Sequence, residues 1–293
     1  MYLYMNGEMI KEEEARISPF DHGFLYGMGL FETFRVYEGH PFLLVDHLER
    51  LNSSLAMIGI QKSLNKDEVI QTLKLLLEKN KLANAYIRLN VSAGVGAVGL
   101  PVEPYEHANV MMFVKPLPEA GGPTEKEAQF LKVSRNTPEG PLRLKSHHYM
   151  NNLLAKKEIG SRTDVEGIFL TKDGSIAEGI VSNIFWVIDN QLYTPDVGTG
   201  ILNGITRSFV IELAGKRGFR VKEGFYKPDV LNTATEIFVT NSIQEIVAIS
   251  KVDSLVFPGV NGEFFQKLHK EYRLYSNSLW SRREINQQRR RIN

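Results

Sequence analysis

The chain has 293 residues, of which 43% are hydrophobic and 24% charged, and its formal net charge is +1. This length allows two domains with separate cores, and the near-zero net charge gives no overall electrostatic indication of binding to nucleic acid or to an anionic membrane. The absence of cysteine excludes disulfides, thiolate metal sites and cysteine nucleophiles. The start of the chain lacks a signal-peptide pattern and no apolar run is long enough to span a bilayer, so we expect a cytoplasmic protein without membrane contact.

The first third of the chain predicts β-hairpins and two helices. Asn6-Gly7 and Glu38-Gly39 are turn signals between extended runs, and Asn-Gly in particular favours a tight hairpin turn. Leucines at helical spacing predict a helix over 46–57, and Asn65 is expected to cap a second helix that runs through Leu77. The extended runs that we interpret as strands cover residues 2–5, 8–10, 31–37, 41–44, 85–95 and 108–115. This pattern predicts an α+β domain.

A run rich in proline, glycine and glutamate divides the chain. We predict a small N-terminal α+β domain over 1–118, a linker over 119–127 and a larger C-terminal mixed α/β domain over 128–293. In the C-terminal domain, strands (167–171, 182–188, 236–240, 245–249) alternate with helices (149–159, 205–217, 264–280). The arginine-rich tail from Arg282 is interpreted as a solvated helix terminus rather than a nucleic-acid-binding arm.

Lys145 lies where an extended stretch changes to helical periodicity. A lysine held in apolar surroundings at such a junction loses its proton easily, and a neutral amine is a nucleophile and a base. A surface lysine in a connector would show the same local pattern. The role of Lys145 therefore depends on what the rest of the chain supplies.

Four other groups are of kinds that bind a phosphate or a cationic ring. Asn203 is predicted to cap a helix whose first residues, Ile205 and Thr206, would form a phosphate cradle. Arg50 is a candidate phosphate-binding cation, and Glu178 could keep a proton on a heteroaromatic nitrogen. The fourth group, Asn241-Ser242, ends an apolar strand. Each group alone also fits an ordinary cap, turn or solvated charge, but with Lys145 they form a set suited to pyridoxal 5′-phosphate.

In order and spacing, these groups resemble the fold type IV pyridoxal-phosphate enzymes. This family includes branched-chain aminotransferases, D-amino-acid aminotransferases and 4-amino-4-deoxychorismate lyases. The most specific strings are Leu144-Lys145, Ala177-Glu178-Gly179 with Ser182-Asn183-Ile184-Phe185, and Gly204-Ile205-Thr206-Arg207. The resemblance implies that Lys145 forms the Schiff base and that Glu178 binds the pyridine nitrogen. It implies that the phosphate is held by Arg50, Ile205, Thr206, Asn241 and Ser242.

Within the family, the chain is most similar to the lyases of the Bacillus type, in the strings at 17–27, 88–94, 135–140 and 144–149. D-amino-acid aminotransferases have a tyrosine in place of Phe31, and an arginine–histidine pair where this chain has Asn90-Val91-Ser92-Ala93-Gly94. Branched-chain aminotransferases share Phe31-Glu32 and Arg35 but usually have a glycine in place of Thr33.

The resemblance therefore implies a homodimeric lyase of folate biosynthesis that converts 4-amino-4-deoxychorismate into 4-aminobenzoate and pyruvate, without a metal. This reaction would link the chain functionally to aminodeoxychorismate synthase. The expected substrate contacts are Phe31, Arg35, Arg88 and His147, because the carboxylates of the substrate need cationic partners. An aminotransferase of branched-chain or D-amino acids is the alternative, and a noncatalytic two-domain binding scaffold is a third interpretation.

Overall fold

A computed structural model describes residues 1–285 and divides the chain into two compact units. Among the described residues, the first unit contains Met1–Gly121, Leu144–His148 and residues 276–285, and the second contains Gly122–Arg143 and Tyr149–Tyr275. The short lysine segment and the C-terminal part of the chain thus belong to the first unit, whereas the sequence placed both in the C-terminal domain. Within the described residues, no helix combines the length and the apolar character needed to cross a membrane.

The first unit contains a six-stranded antiparallel sheet in the order β2-β1-β6-β5-β3-β4. Its elements are β1 (Tyr2–Met5), β2 (Glu8–Lys11), α1 (His22–Tyr26), β3 (Gly29–Tyr37), β4 (His40–Pro41), α2 (Leu44–Met57), α3 (Lys66–Asn80), β5 (Ala85–Ser92) and β6 (Asn109–Pro116). The first predicted hairpin is confirmed, with left-handed backbone at Asn6 and Gly7. The second hairpin is shorter than predicted, because Leu43 is left-handed and the chain enters α2 at Leu44.

One face of this sheet packs against α2 and α3. Side chains of a strand alternate between the two faces of a sheet, so Phe34 and Ile87 lie in the core with Leu48 of α2. The same alternation assigns Phe31 and Arg88 to the opposite face of β3 and β5. This second face carries the candidate substrate contacts.

The second unit is built on a mixed sheet in the order β12-β11-β10-β13-β14-β7-β8-β9, with β15 added beside β14. Its elements are β7 (Thr124–Phe130), α4 (Met150–Ile159), β8 (Val165–Leu170), β9 (Ile176–Gly179), β10 (Asn183–Ile188), β11 (Gln191–Pro195), α5 (Ile205–Lys216), β12 (Val221–Gly224), β13 (Glu236–Asn241), β14 (Glu245–Val252), β15 (Leu255–Val256) and α6 (Glu263–Tyr275). Strand β7 is parallel to both of its neighbours. It begins at Thr124, so the last residues of the predicted linker form part of a strand.

The C-terminal part of the chain departs from its prediction. The predicted helix over 264–280 ends at Tyr275, and the following residues return to the first unit. There, Arg282 pairs with Asp46 at 3.3 Å and Arg283 pairs with Glu49 at 3.0 Å. The described start of the basic tail is thus bound to α2 by ion pairs and is not a solvated helix end. Residues 286–293, which include the other arginines of the tail, lie outside the described residues.

Candidate active site

The lysine segment (Leu144–His148) pairs with the beginning of β3. The backbone N–H of Phe31 donates to the carbonyl oxygen of Lys145 over 2.9 Å, and the N–H of His147 donates to the carbonyl oxygen of Gly29 over 3.0 Å. The half-buried Lys145 has its Nζ 4.7 Å from the centre of the Phe31 ring. The extended stretch predicted before Lys145 is therefore reduced to a short pairing, and this pairing fixes the lysine against β3.

Arg88 and His147 lie against the same aromatic ring, and Asn90 connects them. The guanidinium carbon of Arg88 lies 3.6 Å from the centre of the Phe31 ring. The Asn90 Oδ1 accepts hydrogen bonds from Arg88 over 3.3 and 3.4 Å and lies 3.0 Å from His147 Nε2. Burial and the neighbouring Arg88 lower the pKa of His147 to about 4, so its ring is neutral at neutral pH.

Arg35 does not join this cluster. It lies further along β3, where its Nη2 donates to the carbonyl oxygen of Pro118 over 2.7 Å and its guanidinium lies 5.0 Å from the centre of the Tyr37 ring. Of the four predicted substrate contacts, the structure thus brings Phe31, Arg88 and His147 close to one another.

Arg50 of α2 is held by a buried carboxylate. Its Nε and Nη2 donate to the two oxygens of Glu32, each over 2.7 Å, and His47 Nδ1 lies 2.7 Å from Glu32 Oε2. Burial alone would raise the pKa of Glu32, but Arg50 and His47 outweigh it and lower this pKa to about 2. The sequence identified the arginine as a candidate, but its two partners were missed, since nothing local links Glu32 to α2.

In the second unit, Glu178 is a buried residue of β9. Its Oε1 accepts from Arg135 Nε over 2.8 Å, its Oε2 accepts from the backbone N–H of Leu202 over 3.0 Å, and Arg143 Nε lies 3.9 Å from Oε1. Burial raises the pKa of Glu178, and the two arginines oppose this rise. A carboxylate in an apolar strand signals that a cationic partner is needed, but the sequence does not tell which arginine provides it.

Helix α5 begins at Ile205, as predicted, but the residue that caps it differs from the prediction. Its N-cap is Gly204 and not Asn203, and no side chain caps the helix. The Asn203 Oδ1 instead accepts from Arg207 Nη1 and Ser208 Oγ, each over 3.1 Å. A Cβ at Gly204 would overlap Asn183 Oδ1, so this close approach requires glycine.

The start of α5 and the end of β13 form a group of anion-binding donors. The first N–H groups of a helix have no partner within the helix, and they point to its positive end. Thr206 Oγ1 lies 3.3 Å from Ser242 Oγ. On the same strand end, the buried Thr240 Oγ1 has no hydrogen-bond partner among residues 1–285. Hydroxyls and helix-start N–H groups are the donors that a phosphate requires.

Asn241 has a different task in this group. Its Oδ1 accepts from the backbone N–H groups of Ile243 over 2.9 Å and Gln244 over 2.7 Å, and its Nδ2 donates to Gln244 Oε1 over 3.1 Å. The side chain therefore closes the turn after β13. Any contact of Asn241 with a phosphate would have to come from its backbone.

The donor sets of the two units match the three parts of pyridoxal 5′-phosphate. Taken separately, Lys145 in the first unit has an amine of the kind that the aldehyde would need, Glu178 in the second unit is a buried carboxylate of the kind that pairs with a pyridine nitrogen, and the start of α5 in the second unit has donors of the kind that a phosphate would need. Within residues 1–285, no cluster of three histidine or carboxylate side chains is arranged to hold a metal ion. The residues present fit this cofactor.

Comparison with known proteins agrees with this match. The model of the class IV aminotransferase family matches residues 29–252, so the chain belongs to this family. It is 46% identical to the aminodeoxychorismate lyase of Bacillus subtilis (strain 168), over 92% of this chain and 93% of the relative. It is 37% identical to a putative branched-chain-amino-acid aminotransferase of Methanocaldococcus jannaschii, over 93% of this chain and 96% of the relative.

Solved structures show the same fold. The branched-chain aminotransferase of Thermoproteus uzoniensis with norvaline superimposes with a TM-score of 0.85 at 28% identity, over 95% of this chain and 96% of that protein. The branched-chain aminotransferase of Escherichia coli superimposes with a TM-score of 0.82 at 30% identity, over 94% of both chains. A third branched-chain aminotransferase, complexed with N-(5′-phosphopyridoxyl)-L-glutamate, has the same TM-score of 0.82 at 27% identity, over 94% of both chains. The predicted fold type IV is confirmed. The chain is an enzyme of the class IV family, and pyridoxal 5′-phosphate is its cofactor.

Proposed function

We propose that the chain is a lyase that converts 4-amino-4-deoxychorismate into 4-aminobenzoate and pyruvate. The observation that carries this proposal is the arrangement around Phe31, where the Lys145 amine and the Arg88 guanidinium contact one ring beside a neutral His147. This arrangement suits a substrate that carries an amine and carboxylates close together. The greater similarity to the Bacillus lyase than to the branched-chain aminotransferases supports the lyase reaction.

Each residue of the cofactor set has a proposed role. When bound, pyridoxal 5′-phosphate supplies an electron sink for the bonds that break next to the substrate nitrogen. Lys145 holds the cofactor covalently at rest and moves the proton at the substrate carbon that bears this nitrogen. Glu178 keeps a proton at the pyridine nitrogen. The phosphate is held by Arg50, by Thr206 and Ser242, and by the backbone of Ile205 and Asn241.

Arg88 is the proposed partner of a substrate carboxylate, and Arg35 is a second candidate further along the same sheet face. The neutral His147 contributes a hydrogen bond rather than a charge, since its pKa is about 4. Loss of the proton at the nitrogen-bearing carbon and cleavage of the bond between the ring and the enolpyruvyl oxygen would leave an aromatic ring, and protonation of the released enolpyruvate at its methylene carbon would give pyruvate. This aromatisation removes the need for a second amino acceptor, which distinguishes the reaction from transamination.

The decisive experiment is product analysis with 4-amino-4-deoxychorismate as the sole substrate. The proposal expects release of 4-aminobenzoate and pyruvate in equal amounts without any added 2-oxo acid. The alternative, a branched-chain aminotransferase, would instead exchange amino groups between branched-chain amino acids and 2-oxoglutarate. Exchange without 4-aminobenzoate formation would overturn the lyase assignment while leaving the cofactor assignment intact.

A second experiment tests Lys145 by itself. Borohydride treatment of the yellow holoenzyme should fix a pyridoxyl group on Lys145, which peptide mass analysis can locate. The Lys145→Ala variant should keep its fold but carry no reducible bond and show no turnover. The exposed Lys157→Ala variant on α4 is the control and should be labelled like the unmodified protein. Labelling at another lysine would contradict the proposed role.

We also propose that the enzyme is a homodimer. Large apolar side chains are exposed in both units, including Phe24 of α1 and Leu100 in the first, and Met150 and Leu153 of α4 in the second. Exposed apolar clusters on a folded chain often mark an interface. Light scattering after size exclusion should give twice the chain mass of 33.2 kDa, and a monomer at micromolar concentration would contradict the proposal.

A further inference from the structure

Arg50 belongs to a buried network of three side chains within the first unit. Glu32 of β3 and His47 of α2 are each 1% exposed, and Arg50 follows His47 by three residues. Residues three apart on a helix lie on the same face, so both α2 side chains can reach Glu32 together. Glu32 accepts one hydrogen bond on Oε1 and two on Oε2 from these two partners.

Burial of such a network costs free energy, because its ionised groups leave water. Apolar side chains of similar volume at these positions would often give an equally stable or more stable core, because ionised groups lose their hydration on burial. The His47 ring lies with its centre 5.7 Å from that of Phe34, a residue of the core formed by α2, α3 and the sheet, so the surroundings of the network are partly apolar. The network therefore calls for an explanation other than stability.

The geometry of the network fixes the guanidinium group of Arg50. A bidentate pair with a carboxylate sets both the plane and the rotation of a guanidinium, which a single hydrogen bond does not. A carboxylate only accepts, so a neutral His47 must donate its Nδ1–H to Glu32. His47 thereby prevents the carboxylate from turning, and the carboxylate prevents the arginine from turning.

We propose that Glu32 and His47 are positioning residues, which hold Arg50 in the orientation needed to bind the phosphate of the cofactor. This inference rests on the proposed role of Arg50 in the function above. It makes Glu32 part of phosphate recognition although a carboxylate would itself repel a phosphate.

Two effects of Glu32 on phosphate affinity oppose each other, and they can be separated. Its negative charge weakens the attraction of Arg50 for an anion, whereas its hydrogen bonds orient Arg50 toward that anion. Removal of a residue that orients a ligand-binding side chain typically weakens binding roughly 10- to 100-fold, as measured for metal sites. If positioning dominates, loss of Glu32 weakens phosphate recognition; if charge dominates, it strengthens it.

The test compares pyridoxal 5′-phosphate with pyridoxal, which lacks the phosphate. Dissociation constants for both are measured by absorbance on the full-length protein after removal of its cofactor. The dissociation constant for pyridoxal divided by that for pyridoxal 5′-phosphate measures phosphate recognition alone, because a general loss of structure would affect both ligands. A high ratio means strong recognition of the phosphate. We expect this ratio to fall roughly tenfold in Glu32→Gln and in His47→Leu. His47→Gln retains a donor and should restore most of the preference.

Glu49→Gln is the matched control. Glu49 lies on the same helix and forms an exposed ion pair with Arg283, so its removal should leave the ratio unchanged. Arg50→Lys supplies the reference for lost recognition, and adding Glu32→Gln to it should have almost no further effect if Glu32 acts through Arg50. Thermal unfolding confirms that each variant folds. If Glu32→Gln does not fold, the two His47 variants provide the same comparison.

The possible failures are distinguishable. An unchanged or increased ratio in Glu32→Gln or His47→Leu would overturn the positioning role. If instead the unmodified protein shows no preference for the phosphorylated ligand, or takes up neither ligand, the proposed function itself fails.

Discussion

The buried pair between Glu178 and Arg135 allows a prediction whose size can be worked from the structure. Arg135 is 8% exposed and Glu178 is 5% exposed, and they are joined by a hydrogen bond of 2.8 Å. Arg135→Met removes the cation and keeps most of the volume. Breaking one partner of a buried pair costs about 3–5 kcal/mol. Because Arg143 remains 3.9 Å from the carboxylate, we expect the lower end, about 3 kcal/mol at neutral pH.

The sign of the pH dependence follows from the pKa of Glu178. Burial already raises this pKa in the folded protein, and loss of Arg135 raises it further. A carboxyl group whose pKa is higher in the folded than in the unfolded state makes the protein less stable as pH rises from the unfolded pKa to the folded pKa. The unfolding free energies of the unmodified protein and of Arg135→Met therefore differ least in acid, where Glu178 is protonated in both proteins. The difference in unfolding free energy should grow with pH until it reaches a plateau above the pKa of Glu178 in the variant.

The assay is urea unfolding of both proteins between pH 4.5 and pH 8. Cofactor must be absent from both, since a ligand that binds only the folded state adds to its stability. Lys267→Met is the control, because it breaks an exposed ion pair with Glu263 on α6 and should give no comparable pH dependence. A difference that is independent of pH, or one below about 1 kcal/mol at neutral pH, would refute the buried-pair reasoning.

Two further predictions concern the start of α5 and the cluster around Phe31. Gly204→Ala should weaken the binding of pyridoxal 5′-phosphate by about tenfold or more, because the added Cβ would displace Asn183. Equilibrium titration measures this change. The control is Gly215→Ala, where a Cβ meets no atom within 4 Å, and it should leave binding unchanged. The stability of the protein should fall from pH 6.5 toward pH 4 because folding lowers the pKa of His147 to about 4 and the unfolded chain then binds the additional proton. His147→Gln should reduce that slope in acid unfolding curves, and an unchanged slope would show that the folded protein protonates His147 freely.

Local chemistry explains why several elements could be predicted from the sequence. Asn6 and Gly7 adopt positive φ values of 48° and 103°, as an Asn-Gly hairpin turn requires. Asn65 caps α3 by accepting from the N–H of Asp67. The prediction of the cofactor, which is confirmed, came from a lysine, a glutamate and phosphate-binding groups that are rare in combination. In the hairpin and the helix cap, the deciding interaction lies within a few residues, whereas the cofactor assignment depended on the combination of groups between Arg50 and Ser242.

Long-range pairing explains what the sequence did not predict. The partner of Glu178 is 43 residues away and the partner of Glu32 is 18 residues away. Return of the lysine segment to the first unit depends on backbone hydrogen bonds to β3, which leave no periodicity in either segment. Asn203 is of a residue type that commonly caps helices, but its Oδ1 accepts a hydrogen bond from the side chain of Arg207, and the N-cap residue is Gly204.

The two buried glutamates show how similar pairs acquire different properties. Both Glu32 and Glu178 are paired with arginine, and burial by itself would raise the pKa of each. Glu32 accepts two hydrogen bonds from Arg50 and one from His47, which lowers its pKa to about 2 and keeps it ionised at every physiological pH. Glu178 accepts one hydrogen bond from Arg135 and one from a neutral backbone group, so burial prevails and its pKa is raised. A permanently ionised carboxylate suits the fixed orientation proposed for Arg50, whereas a carboxylate with a raised pKa suits the proton that Glu178 is proposed to share with the pyridine nitrogen.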